Sequence, residues 1–221
     1  MPRIARAVAR GLPHHVTQRG NYRQVTFRRD GDYLQYLEWL KEYSKRYALE
    51  IWAYCLMSNH IHFVCVPAQE DSLARTFNLL HMRYAQSVHR RRRTTGHLWQ
   101  GRFYSTILDE VHAYAAVRYV EKNPVRAGVV EKAEDYRWSS AREHVKGSSD
   151  GLVSKKCYLW DQIRDWKRYL QEEEDSTLVQ EIRKCSLNGR PCGDEAFVQK
   201  LEARFGRRLK ALSPGRPRRE K

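Results

Sequence analysis

The stretch Ala53-Tyr-Cys-Leu-Met-Ser-Asn-His-Ile-His-Phe-Val-Cys-Val66 decides how this chain is read. It reads as two apolar strands that meet at a turn, Met57-Ser58-Asn59. Alternate residues of a strand point to one face, so His60 and His62 project side by side while Ile61 points into the core. Two adjacent imidazoles on a sheet face suit a divalent metal ion. Such a pair also occurs on purely structural faces, so the rest of the chain has to decide.

Outward from that hairpin the pattern is regular. Residues 14–18, His-His-Val-Thr-Gln, form a short strand that ends at the turn signal Arg19-Gly20-Asn21. Asp30 to Tyr47 reads as an amphipathic helix with Tyr33, Leu34, Leu37, Leu40 and Tyr43 as its apolar positions. Asp71 or Ser72 caps a second helix carrying Leu73, Phe77, Leu80 and Tyr84 on one face. This helix is expected to run out into a basic loop at Arg90-Arg-Arg-Arg93. Leu98 to Leu108 reads as a strand, and Asp109-Glu110 opens a third helix. That helix must end near Lys122, because Pro124 disfavours helix at Asn123. The order of elements is strand, helix, strand, strand, helix, strand, helix. It predicts an α+β fold, a ferredoxin-like split βαβ sandwich with an antiparallel sheet and an added helix after the last strand.

Three segments are expected: a first domain over 1–147, a helical accessory module over 152–205, and a basic disordered tail over 206–221. The module is expected to contain helices near 158–171, 175–184 and 194–205. It is a candidate for DNA binding. The tail's Gly215-Arg-Pro-Arg-Arg219 resembles the core of a minor-groove AT-hook.

The formal net charge is +15 on 221 residues, which favours a polyanionic partner, most simply nucleic acid. Five cysteines, odd in number and without a CxxC pair, argue against a zinc ribbon or a disulfide framework. Cys55 and Cys65 fall inside the apolar strands, where free buried thiols are expected. No stretch approaches the roughly 18 apolar residues of a membrane helix, so the expectation is a soluble protein with no membrane partner.

The third helix carries Tyr119-Val-Glu-Lys-Asn123. Residues four apart share a helix face, so a phenol and a carboxamide lie together there. Tyr114 is a rival nucleophile. It lies five residues before Tyr119, roughly 140° around the helix, so the two cannot face one site.

Met57-Ser-Asn-His-Ile-His62, Trp99-Gln-Gly-Arg-Phe103 and Arg118-Tyr-Val-Glu-Lys-Asn-Pro-Val-Arg-Ala-Gly128 together resemble the single-tyrosine HUH (insertion sequence 200-like) transposases. The branch most similar is the REP-associated tyrosine transposases. His14-His-Val-Thr-Gln-Arg-Gly-Asn21 and Trp138-Ser-Ser140 fit the same pattern. The likeness covers about residues 3 to 145 and lies in the ordered series of blocks. It implies that His60, His62 and Asn123 bind Mg²⁺ or Mn²⁺, with Asn123 where many relatives have Gln. It implies that Tyr119 is the nucleophile that cuts single-stranded DNA and is left as a 5′-phosphotyrosine. A second 3′-hydroxyl then rejoins the strand.

The implied substrate is the hairpin of a repeated palindromic element. Arg19, Arg23, Arg90, Arg91, Arg92, Arg93, Arg102 and Arg126 are candidate DNA contacts. Trp99 and Phe103 could stack on unpaired bases or pack the sheet. The resemblance further implies a cytoplasmic, nucleoid-associated bacterial enzyme that acts as a monomer or homodimer. Two alternatives remain open: a domesticated hairpin-binding protein that no longer cleaves, and a metal-dependent nuclease with no covalent step.

Overall fold

The structure, a computed structural model, describes residues 6–148 and 151–210. The chain runs β1 (His14–Arg19), α1 (Asp30–Arg46), β2 (Leu49–Met57), β3 (His60–Pro67), α2 (Ser72–Arg92), β4 (Tyr104–Ile107) and α3 (Glu110–Glu121), the expected order. The strands form one sheet in the order β2-β3-β1-β4, and every neighbouring pair is antiparallel. The fold is therefore α+β, with β1 and β3 central.

Strand alternation assigns the two faces. Ile61, Phe63 and Cys65 point towards α1 and α2, where Phe63 meets Phe77 with ring centroids 5.2 Å apart. On α2, Leu73, Phe77, Leu80, Tyr84 and Val88 are fully buried, a stripe at helical spacing. Burying each such side chain contributes about 1.5–3 kcal/mol, and truncating Phe63 to alanine would cost about 3–5 kcal/mol. The opposite sheet face, carrying His60 and His62, is covered by α3 and by later helices. Cys55 and Cys65 are free, fully buried thiols, and burial raises the pKa of both.

Three local expectations change. Leu34 is exposed, and Tyr36 takes the buried place in α1, because the helix turns its Tyr33–Tyr36–Leu40–Tyr43 stripe inward. The strand expected over 98–108 shrinks to β4. Gly101, at φ 149, breaks the extended run, and Trp99 forms only an isolated bridge to Gly20. The arginine run 90–93 is not a loop. Val88 keeps α2 packed to its last turn, and Arg93 closes the helix in the left-handed region at φ 50.

Beyond α3 come α4 (Asn123–Arg126), α5 (Ala141–Lys146), α6 (Leu159–Gln162), α7 (Trp166–Gln171), α8 (Ser176–Asn188) and α9 (Glu195–Phe205). Asp165, Asp175 and Asp194 cap α7, α8 and α9 by accepting backbone N–H bonds. Each cap stabilises its helix by about 1 kcal/mol. The apolar positions of residues 152–192 join the same buried core as the sheet. Val179, Ile182 and Ser186 turn α8 inward, beside α3 and over β1 and β4. Residues 206–210, expected to begin the tail, are held in place. Leu209 is buried, and its N–H donates to Glu202 Oε1. The AT-hook-like Gly215–Arg219 lies outside the described residues.

Candidate active site

The sheet register builds the site. Thr17 pairs with His62 and Arg19 with His60, so β1 and β3 present a patch of polar side chains at one end of the sheet. Asp109 starts α3 by accepting from the N–H of His112. The helix stops at Glu121, and Asn123 opens α4 with Pro124 behind it. Lys122 links the two helices at φ −79 and ψ 0. Tyr119 and Asn123 face the same cleft, of about 620 Å³, as the histidines.

The contacts are close. The Tyr119 ring stands edge-on to His62 (centroids 5.6 Å apart, planes at 87°) and to His15 (5.8 Å, 82°). His15 and His62 stack at 5.1 Å, and their Nε2 and Nδ1 atoms are 2.9 Å apart. His60 lies 5.1 Å from His62. Its Nδ1 is 2.6 Å from Asn59 Oδ1, and the Asn59 amide is oriented by donating its Nδ2 to Arg23 O. The Asn123 side chain also hydrogen-bonds His60.

Burial sets the protonation state. It pushes the His15 pKa down to about 4. His60 also falls to about 4, first from burial and then from the charge of Arg19, with the Asn123 bond opposing. His62 falls well below its ordinary value through burial and then its histidine neighbours. All three rings are neutral at pH 7, as a metal-binding imidazole must be. In both His60 and His62 the Nδ1 edge is engaged, which leaves Nε2 for a ligand. Among the described residues no three His, Cys, Asp or Glu gather to hold an ion. The donor set that fits is two imidazoles and the Asn123 amide. It is uncharged and would leave an ion's positive charge undiminished.

The cleft is also lined by Arg19, Arg23, Arg126 and Arg183, and no carboxylate is among its lining residues. The Arg126 guanidinium sits 4.3 Å from the Tyr119 ring centroid and is held by Glu174 at 2.7 Å. Arg183 Nε donates to the Tyr119 hydroxyl at 3.5 Å.

The structure thus brings together Tyr119, His60, His62, Asn123, Arg19, Arg23 and Arg126. Other candidates lie elsewhere. Trp99 is buried among Phe27, Tyr36, His81 and Tyr84, and its Nε1 donates to His81 O. Phe103 is buried against Phe77. These two rings pack the core. Arg91 pairs with Asp32 in the first turn of α1 at 2.8 Å, and Arg92 donates to Val25 O and Thr26 O, so the two hold α2 to α1 and to the chain just before it. Arg90, Arg93 and Arg102 are exposed and do not line the cleft. Tyr114 packs against Tyr169 at 4.7 Å, away from the histidines. Glu121 is fully buried, bonded to Ser140 Oγ and to His144 Nδ1, and does not reach the cleft.

Four residues at or beside the site were not singled out from sequence. His15 was legible by alternation, two positions before Thr17 on the same strand face. Arg183 and Ser186 come from α8 and carry no local signal. Tyr22, next to Arg23, is 94% exposed. Both residues have positive φ (49 and 59), a conformation bulky side chains avoid.

Three comparisons bear on this geometry. The family model described as "Transposase IS200 like" matches residues 9–123, just over half of the chain. A Haemophilus influenzae protein, described provisionally as a REP-associated tyrosine transposase, is 26% identical over 117 residues. That match covers 48% of this chain and spans 66% of the relative's own length, slightly under two thirds. A solved REP-associated tyrosine transposase bound to a REP hairpin shares the fold with a TM-score of 0.57 at 20% identity. It covers 70% of this chain and 89% of that one.

Proposed function

The chain belongs to the IS200-like transposase family, and from that premise we propose that it cuts and rejoins single-stranded DNA beside a hairpin, with Tyr119 as nucleophile. The observation that carries this reading is the edge-on contact of Tyr119 with His62, inside a cleft whose charged lining is entirely arginine. The hairpin substrate is carried over from the solved relative, whose complex holds a REP hairpin. The reading places the chain at the bacterial nucleoid. Among the described residues no helix is long and apolar enough to cross a membrane.

His60, His62 and Asn123 would hold Mg²⁺ or Mn²⁺. Such an ion, when bound, neutralises charge on the scissile phosphate and orients it. Arg19, Arg23, Arg126 and Arg183 bind the flanking phosphates. Tyr22, exposed and poised by its backbone, stacks on an unpaired base. The Tyr119 oxygen attacks phosphorus in line, and a Tyr–O–P bond replaces the P–O3′ bond. The phenol proton ends on the departing 3′ oxygen, so the step balances without a further reactant. Reversal with another 3′-hydroxyl rejoins the strand. The contact of Tyr119 with the histidines of its own chain supports a site completed within one chain.

The test is a denaturing gel after incubation with labelled hairpin-bearing single-stranded DNA and Mn²⁺, using the wild type, Tyr119→Phe and Tyr114→Phe. A protease-sensitive adduct lost only with Tyr119→Phe is expected. Cleavage retained by Tyr119→Phe would mean hydrolysis without a covalent step. Tight binding with neither adduct nor cleavage would mean a hairpin-binding protein.

A further inference from the structure

We propose that α8 is part of the active site, and that its Ser186, acting through His15, fixes the tautomer in which His62 presents a bare Nε2 to the cleft. This inference rests on the reading of His62 as a metal ligand. The matched family region ends at residue 123 and does not reach α8.

The argument is proton counting along one chain of hydrogen bonds. Ser186 Oγ is 2.6 Å from Ile182 O and 2.6 Å from His15 Nδ1. His15 Nε2 is 2.9 Å from His62 Nδ1. A hydroxyl has one proton, and a carbonyl can only accept. The relay can run in two directions. If Ser186 donated to His15, the proton of His15 would sit on Nε2, and His62 would carry its own on Nε2, where no metal could bind. In that arrangement Ser186 Oγ and Ile182 O would face each other at 2.6 Å with no proton between them. The back-bond to Ile182 excludes it. Ser186 therefore donates to Ile182 and accepts from His15 Nδ1–H. His15 Nε2 then accepts from His62 Nδ1–H, and His62 Nε2 is left with its lone pair.

The two histidines obtain the same tautomer by different means. His60 is set by its sequence neighbour Asn59. His62 is set from a helix whose serine lies 171 residues from His15. The same helix brings Arg183, three residues earlier, onto the Tyr119 hydroxyl. Residues three apart share a helix face, so one face of α8 touches both the nucleophile and the second sphere of the ligand. Ser186 and His15 are positioning residues.

The test compares the wild type with Ser186→Ala, Ser186→Thr and His15→Phe. Ring-nitrogen NMR correlations on the metal-free protein report the His62 tautomer, and calorimetry reports Mn²⁺ affinity. The wild type should show Nδ1–H at His62. Ser186→Ala and His15→Phe should give mixed tautomers and about 10–100-fold weaker Mn²⁺ binding, the usual cost of removing an outer-sphere partner. Ser186→Thr keeps the hydroxyl and should restore both. An unchanged tautomer in Ser186→Ala and His15→Phe would overturn the relay, as would Mn²⁺ affinity within twofold of wild type. His62→Ala separates the two ideas. If it leaves Mn²⁺ binding intact, the ligand assignment fails, and the tautomer spectra alone judge the relay.

Discussion

Helix α8 touches histidine at two places and meets each with different chemistry. Towards its N-terminal half, Glu181 Oε2 lies 2.9 Å from His112 Nε2, while Asp109 holds the other ring nitrogen at 2.7 Å. Asp109 first, and Glu181 with it, raise the His112 pKa to about 9, so this imidazole is a cation at neutral pH. One and a half turns on, Ser186 meets His15, which is neutral because it is sealed from water. A carboxylate answers the charged ring and a hydroxyl answers the neutral one. Exchanging them would bury an unpaired carboxylate at His15, at a cost of several kcal/mol. The ionic contact fastens α8 to the start of α3, and the neutral contact reaches the chemistry.

The comparison breaks most visibly at the neutral end. His62→Ala should lower cleavage by about 10³-fold, the several kcal/mol expected of Lewis-acid assistance. Hairpin binding in chelator should change little, as a filter-binding assay would show. At the ionic end, His112→Ala should act on stability instead. A loss of about 1 kcal/mol is expected in urea unfolding, kept small because Glu181 is half exposed. Cleavage per folded molecule should be retained. If His112→Ala abolished cleavage while folding normally, the division of labour between the two contacts would be wrong.

Acidity and alkalinity should separate the two classes of histidine. For His112 the folded pKa is raised, so its contribution to stability is fully present below pH 6.5 and is lost as pH rises through about 9. His14 and His81 are opposite. Burial lowers them to about 4 and about 3, so the unfolded chain binds the extra protons. Their effect is a fall in stability as pH drops from 6.5 towards 4 and then 3. Urea midpoints across this range should fall on both sides, and His112→Ala should flatten only the alkaline side. The smallest effect is expected of Glu181→Gln. It should move the His112 titration, followed by NMR, towards the ordinary histidine range and cost about 0.5 kcal/mol or less.

The sheet, its helices and the side-by-side His60–His62 pair were legible because they follow periodicity. His60 and His62 alternate with Ile61 and Phe63, and Leu73 to Tyr84 repeat at helical spacing. That Tyr119 and Asn123 share a face was legible through their spacing, and both line the cleft; the roles proposed for them came only from the family resemblance. The arginine run 90–93 misled because charge suggests a solvated loop, whereas Val88 holds the helix to its last turn. Trp99 misled because a strand was assumed across Gly101. Ser186 and Arg183 were invisible, since a serine and an arginine on an amphipathic helix say nothing about which distant strand they will meet. Only the packing of α8 against α3, β1 and β4 assigns them.

The order of synthesis gives the position of α8 a consequence. Ribosomes add about 5–20 residues per second, so Tyr119 and both histidines are made seconds before Ser186. During that interval the sheet can form while the His15 ring lacks its Ser186 acceptor and Tyr119 lacks Arg183. A nascent or truncated chain that stops short of α8 would carry His60, His62, Tyr119 and Asn123 and, by the proposed relay, present His62 in either tautomer. On the proposed function such a chain would bind Mn²⁺ about 10–100-fold more weakly, and full cutting capacity would come only once residue 186 has been added.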